Sequence, residues 1–257
     1  MLPALLSTLR YTEAEIRARI NDSGPIYAET NPDRFILEPF NMASAAVFLL
    51  VVLYWYRRLR PVRQQQALLW RSLPILAIGG VGGTVYHGFR SHDLWLLMDW
   101  VPIAILTLGA AVYFWLQLTH RPWLVGLITL VAFVTIRGLI YLVTRDMTGL
   151  PQAYGITLGY TFMGLYMLVP ILLVLYRTGW RHARWVGLAL GAFLLALLSR
   201  ALDNDLAQLL PMGTHFLWHG FGALACTLLM AFVFRYQQTL NAVKGRRVHT
   251  AQSALPA

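Results

Sequence analysis

Charge is scarce in this chain. Only 12% of its 257 residues are Asp, Glu, Lys or Arg, about half the share found in a soluble domain. That shortage excludes an ordinary solvated surface. Cysteine is almost missing: Cys226 stands alone within an apolar stretch, which rules out a disulfide framework and a thiolate metal cage and leaves a small packing residue. Acids are outnumbered, eleven against twenty-one Lys and Arg, for a net charge of +10. In a membrane protein such an excess collects in cytoplasmic loops, so it does not call for a nucleic-acid partner, and none is expected. The opening MLPALLSTLR has no basic region followed by a long apolar core, so a cleavable signal peptide is not expected. No internal repeat is visible.

What the chain does have is apolar length. Hydrophobic residues make up 58% of it, and the mean hydropathy is +0.56. Nine Trp and twelve Tyr suit the aromatic belts of a membrane interface. A spanning helix needs about 20 mostly apolar residues. Seven segments qualify: Asn41–Tyr56, Leu69–His87, Leu94–Leu118, Trp123–Val143, Ala153–Tyr176, Trp185–Leu202 and Thr214–Phe234. The expected fold is therefore all-α, an integral membrane bundle of seven transmembrane helices joined by short connections. Residues 1–40 are polar and read as an amphipathic helix (Tyr11–Ile20) with a structured loop. Residues 41–236 form the membrane domain, and 237–257 a basic, disordered tail.

Basic residues set the direction. The first, third and fifth connections and the tail carry thirteen Lys and Arg, the other side six. By the positive-inside rule the C-terminus is cytoplasmic and the N-terminus faces outward. With that orientation the polar residues fall on one side. His87 ends the second segment, Asp99 opens the third, and Arg200 and Asp203 end the sixth. His215 and His219 open the seventh, while Glu38 and Asn41 open the first. A one-sided polar cluster drawn from several spans is costly in lipid and points to a functional site.

His215 and His219 are four residues apart, so on a helix their imidazoles share one face. This is the spacing of helical zinc pairs. His87 supplies a third nitrogen. Three protein ligands with an open position is the arrangement of catalytic zinc, whereas structural zinc is closed by four. Asp99 is placed to act as a general base or as a fourth ligand. Asp203 is placed to orient a ligand histidine from behind, or to pair with Arg200 three residues earlier. Haem ligation needs axial histidines on opposite faces of the ring, and two on one helical face favour a small ion. Ligand type alone does not separate zinc from other divalent ions.

These residues resemble the alkaline ceramidase family, within the seven-helix hydrolase superfamily that includes adiponectin-type receptors. The superfamily pattern is Ser-x-x-x-His on the second helix, Asp on the third and His-x-x-x-His on the seventh. Here the stretches read GVGGTVYHGF, LMDWVPI and PMGTHFLWHGF. The entry ILEPFNMAS and the segment SRALDNDLAQLLP add to the likeness, which spans roughly residues 25–235. The resemblance implies a zinc amidase acting on ceramide or a similar membrane lipid and releasing a fatty acid and a sphingoid base. It implies metal binding by His87, His215 and His219 and a catalytic Asp99. Some family members bind calcium through an N-terminal acidic segment. The matching residues here are Glu29, Asn31 and Glu38, with the family's leading acid replaced at or near Ile26. A further departure is the family serine, which aligns with Gly83, and the interval from His87 to Asp99 is one residue longer than usual. Two alternatives stay open: a receptor-like or lipid-binding protein that keeps the metal for structure, and a hydrolase of another lipid ester or amide. A multi-pass membrane location follows in each case, the inner membrane if the source is bacterial.

Overall fold

A computed structural model describes residues 11–144 and 152–253, with side chains described for 11–142 and 155–243. Among the described residues the chain is helical and carries no strand. A short helix α1 (Glu13–Arg17) begins at Thr12, whose hydroxyl and the Glu15 carboxylate form a reciprocal capping box, and buries Ile16 as its apolar anchor. An irregular segment leads to α2 (Pro39–Ala45), which passes at Ala46 into α3 (Val47–Leu59). The long helices α4 (Ala67–Phe89), α5 (Asp93–Thr119), α6 (Pro122–Thr144), α7 (Gln152–Arg177), α8 (Ala183–Ala201) and α9 (His215–Ser253) follow.

Seven helical spans among the described residues are long and apolar enough to cross a membrane, α2 and α3 together forming the first. Each agrees with an expected segment to within a few residues, except the first, which runs on to Val62, and the last. In the last, the helix does not stop near Phe234. It continues to Ser253, so the stretch expected to be disordered from residue 237 is helical through that point. Alanine and long straight-chain residues in QQTLNAVKGRR favour helix, and that propensity outweighs the basic, small-residue composition on which disorder was expected.

The bundle is packed at its middle and at the end remote from the polar cluster. Trp55, Leu59, Phe114, Ile171, Leu175 and Phe232 are almost wholly buried there. Gln66 reaches across to donate to the Phe234 carbonyl at 3.1 Å. Outward positions are apolar: Leu50, Ile105, Leu127, Phe133 and Leu194 are all exposed, as lipid-facing residues would be. Helix α6 is the most peripheral, with only 6% of its span buried.

Glycines set the distance between α4 and α5. A side chain at Gly82 would run into the Met98 backbone, and one at Gly83 into the Asp99 carboxylate. The two helices therefore meet backbone to side chain, the close approach that small residues permit in membrane bundles. Helix α4 ends at Arg90, whose φ of 47° lies in the left-handed region that costs a non-glycine residue about 1 kcal/mol. The bonds made by its side chain, described below, hold it there.

Candidate metal centre

The buried charges gather at one end of the bundle. Asp22, Glu29, Glu38, Arg90, Arg200 and Asp203 are all buried there, together with His87, His215 and His219. The last turn of α4 brings His87, and the first two turns of α9 bring His215 and His219. Among the described residues these three form the one group of His, Cys, Asp or Glu placed to share an ion, with one nitrogen from each lying within 4.8 Å of the others. The three ring centroids stand 4.7 to 5.3 Å apart.

Hydrogen bonding decides which nitrogens face inward. His87 Nδ1 lies 2.5 Å from Glu38 Oε2, so Nδ1–H donates to that carboxylate and Nε2 is the nitrogen left to face inward. His219 Nδ1 lies 2.8 Å from Ser44 Oγ. His87 Nε2 and His215 Nδ1 are buried with no hydrogen-bond partner. An orphaned buried nitrogen costs roughly 1–3 kcal/mol. Two of them facing a shared centre fit a site whose missing partner is a cation. An all-imidazole group suits zinc, copper, iron or nickel, and a carboxylate behind one ring, as Glu38 is behind His87, is the usual support of a metal-binding histidine.

Asp99 stands outside this group. Its Oδ1 fills the space directly over Gly83. Gly83 and His87 are one turn apart on the same face of α4, so the carboxylate is brought to the side of α4 that carries His87. The neighbouring Thr84 hydroxyl donates to the Gly80 carbonyl at 2.6 Å.

Asp203 supports the centre through the main chain rather than through an imidazole. Its Oδ1 accepts from the backbone N–H groups of Thr214 and His215, both at 2.8 Å, and its Oδ2 from that of Ala28 at 3.0 Å. It thus caps α9 and fixes His215 by its backbone. Gly213 makes the turn possible: its φ is 63°, and any side chain there would strike Asp203. Asp203→Ala would leave three N–H groups without acceptors. We expect a loss of about 3 kcal/mol, read as a lower unfolding temperature in detergent, with Asp203→Asn milder.

No Arg200–Asp203 ion pair forms within 4.0 Å among the described residues. The Arg200 guanidinium instead lies over the rings of Tyr27, Tyr160 and Trp218, 5.5 to 5.8 Å from their centroids. It is a cation held by aromatic faces.

The N-terminal segment closes the site. Tyr27 stacks on His215 with ring centroids 3.8 Å apart, and burial pushes its phenol up to about 12, so it stays protonated. Glu29 accepts from the backbone N–H groups of Phe40 and Asn41 at 2.7 and 2.9 Å, which occupies it as a cap on α2. Glu38 accepts from Thr30, Arg90 and Asn41 as well as His87. Asn31 Oδ1 accepts from the Asp33 backbone N–H at 3.0 Å. The three residues suggested for calcium are thus each engaged by protein donors. Burial alone would raise the Glu38 carboxyl, but the Arg90 guanidinium and the His87 and Thr30 hydrogen bonds outweigh it and hold it at about 2. Burial would likewise lower Arg90, yet Glu38 and Asp22 raise it.

Tyr27 and Ser44 were not among the expected site residues. Tyr27 lies in an irregular stretch with no period to mark it, whereas Ser44 follows Glu38 and Asn41 at three-residue intervals in the ILEPFNMAS entry, a helical spacing that could have found it. Ser44→Ala removes the contact behind His219 and is expected to weaken metal binding about tenfold, measured by competition with a chromophoric chelator.

No family model matches this chain, and no curated protein matches it either.

Proposed function

We propose that this chain is a zinc-dependent hydrolase of the membrane that cleaves the amide bond of ceramide or a related lipid, giving a fatty acid and a sphingoid base. The observation that carries the reading is the buried histidine triad with orphaned nitrogens, at one end of a bundle whose outer faces are apolar. The likeness of its motifs to alkaline ceramidases supports the choice of substrate.

His87, His215 and His219 would hold the metal. A zinc ion so held supplies Lewis acidity, polarising a carbonyl and acidifying water. The protein supplies the remainder. Glu38 and Ser44 fix two of the ligand rings, and Asp203 fixes the third through its backbone. Asp99 takes a proton from the water that adds to the amide carbon and returns it to the departing amine nitrogen as the C–N bond breaks, so the proton count balances. The lipid enters sideways between helices, keeping its chains in an apolar surrounding. By its basic residues the site end faces outward and the C-terminus is cytoplasmic.

The test is direct. Detergent-purified protein is expected to hold about one zinc per chain by mass spectrometry and to release fatty acid from ceramide-like amides in preference to matched esters, with chelation abolishing release and added zinc restoring it. A chain that holds zinc but hydrolyses no member of an amide and ester panel is a binding or receptor-like protein. A chain that holds no metal after zinc reconstitution lacks the centre altogether.

A further inference from the structure

Asp22, Glu29 and Glu38 come from one N-terminal stretch and are buried beside the histidine triad. Buried carboxylates need a cation or several hydrogen-bond donors. For Glu29 two backbone N–H groups serve. For the other two the cation is a single shared guanidinium. Arg90 Nε and Nη2 donate to the two oxygens of Asp22 at 2.8 and 2.7 Å, and its Nη1 donates to Glu38 Oε1 at 2.6 Å. All three side chains are fully shielded from solvent. The other oxygen of Glu38 receives the His87 ring. An unbroken chain of charge-assisted bonds therefore runs from Asp22 through Arg90 and Glu38 to the Nδ1 side of His87, whose Nε2 is the nitrogen left to the candidate metal centre.

Backbone contacts follow the same path. Asn21 N–H donates to the Arg90 carbonyl at 2.9 Å, and Leu37 N–H to the Gly88 carbonyl at 2.9 Å. Ser23 is tied to Asp93 at the start of α5 by its backbone N–H and hydroxyl. The segment is thus pinned to the α4–α5 corner at both ends, and Arg90 sits between the pins.

We infer that Arg90 is a built-in cation that docks the N-terminal segment and locks Glu38 onto His87, so that metal affinity is set by this arginine and needs no added divalent ion. The inference rests on the metal-centre reading given above. Arg90 is a positioning residue. It touches no ligand nitrogen, and its effect reaches the centre through Glu38. The clamp sets two carboxylates against one guanidinium behind the His87 ring, an arrangement that supports a cation at the far nitrogen. The guanidinium is planar and bonds both carboxylates at once, and a lysine ammonium would not match that geometry.

The experiment uses the full chain. Cobalt(II) and zinc affinities are measured with a chelator competitor, and the visible absorption of the cobalt form reports ligand geometry. Hydrogen exchange of residues 20–38 reports docking. In the unsubstituted protein, calcium chloride and EGTA are expected to leave affinity, cobalt spectrum and exchange unchanged. Arg90→Ala is expected to lower affinity about 10–100-fold, alter the cobalt spectrum and expose 20–38 to exchange. Low-millimolar guanidinium should restore part of both, and Arg90→Lys should fall between the two. Asp22→Asn, a milder change, should weaken docking even if Arg90→Ala does not fold. Arg90→Ala with unchanged affinity and spectrum would overturn the inference, as would a calcium-dependent gain in docking of the unsubstituted chain. Should the chain bind neither cobalt nor zinc, the hydrolase reading fails. Calcium-independent protection of 20–38, lost in Arg90→Ala, would still establish the clamp.

Discussion

Alanine at both His215 and His219 is expected to strip the metal and bring lipid hydrolysis to background. Two of the three inward nitrogens disappear, and the lone His87 that remains is too few for a zinc site, which takes at least three protein ligands in catalytic form. The fold should survive better than the function. The spacing of α9 against its neighbours is held by Asp203 at its first residues and by its remote, apolar half. The variant should therefore keep its helical circular dichroism and elute as the parent does. Metal is counted by mass spectrometry and turnover by fatty-acid release. Persisting turnover in a metal-free double variant would refute the metal-dependent chemistry outright.

Gly83→Ala and Gly83→Ser form the second large test, because two lines of reasoning give opposite expectations. Set against the ceramidase motif, Gly83 is a lost serine, and Gly83→Ser should raise activity. The packing says otherwise. The space a Cβ would enter already holds Asp99 Oδ1, with Ala45 Cβ on the other side at 3.4 Å. Either substitution must push the carboxylate aside or spread α4 from α5. A displacement of about 1 Å at a reacting group is enough for a roughly 100-fold loss. We expect that loss in kcat for both variants with zinc content unchanged, since the His87, His215 and His219 donors lie outside the collision. A Gly83→Ser protein that hydrolyses faster than its parent would show that Asp99 has room to move and that the serine role is vacant.

That contrast also marks what a sequence reveals. His87, His215 and His219 were legible because two simple periodicities expose them. One is the four-residue spacing on α9, and the other is the alternation of spans that returns His87 to the same end. The span boundaries were legible because apolar length is a local property. The contact between Gly83 and Asp99 was not, since it depends on how closely two helices cross, and a glycine alone does not announce its neighbour. The contact of Glu38 with His87 was not legible either, because the irregular stretch before α2 has no period from which to read where its side chains point. Asp203 was expected behind an imidazole and acts as a helix cap. An Asp shortly before a helix start fits either role until the turn at Gly213 is known. The helix α9 runs on past the apolar span because the residue types there favour continued helix, which a count of apolar length does not register.

The clamp and the caps have a consequence for the order in which the molecule is made. Arg90 bonds a partner 68 residues earlier in the chain, whereas Ala28 and Asp203, and Ser44 and His219, are each 175 residues apart. Contacts that distant form late, after the loop-closure entropy between them has been met by other packing. The N-terminal segment can therefore settle on α4 and α5 early in synthesis, but its bond to Asp203 must wait for the last helical pair to arrive. A chain halted before α9 would carry a docked segment over an unfinished centre, with Tyr27 lacking the ring it stacks on. Assembly of the site thus doubles as a check that the whole bundle has been completed.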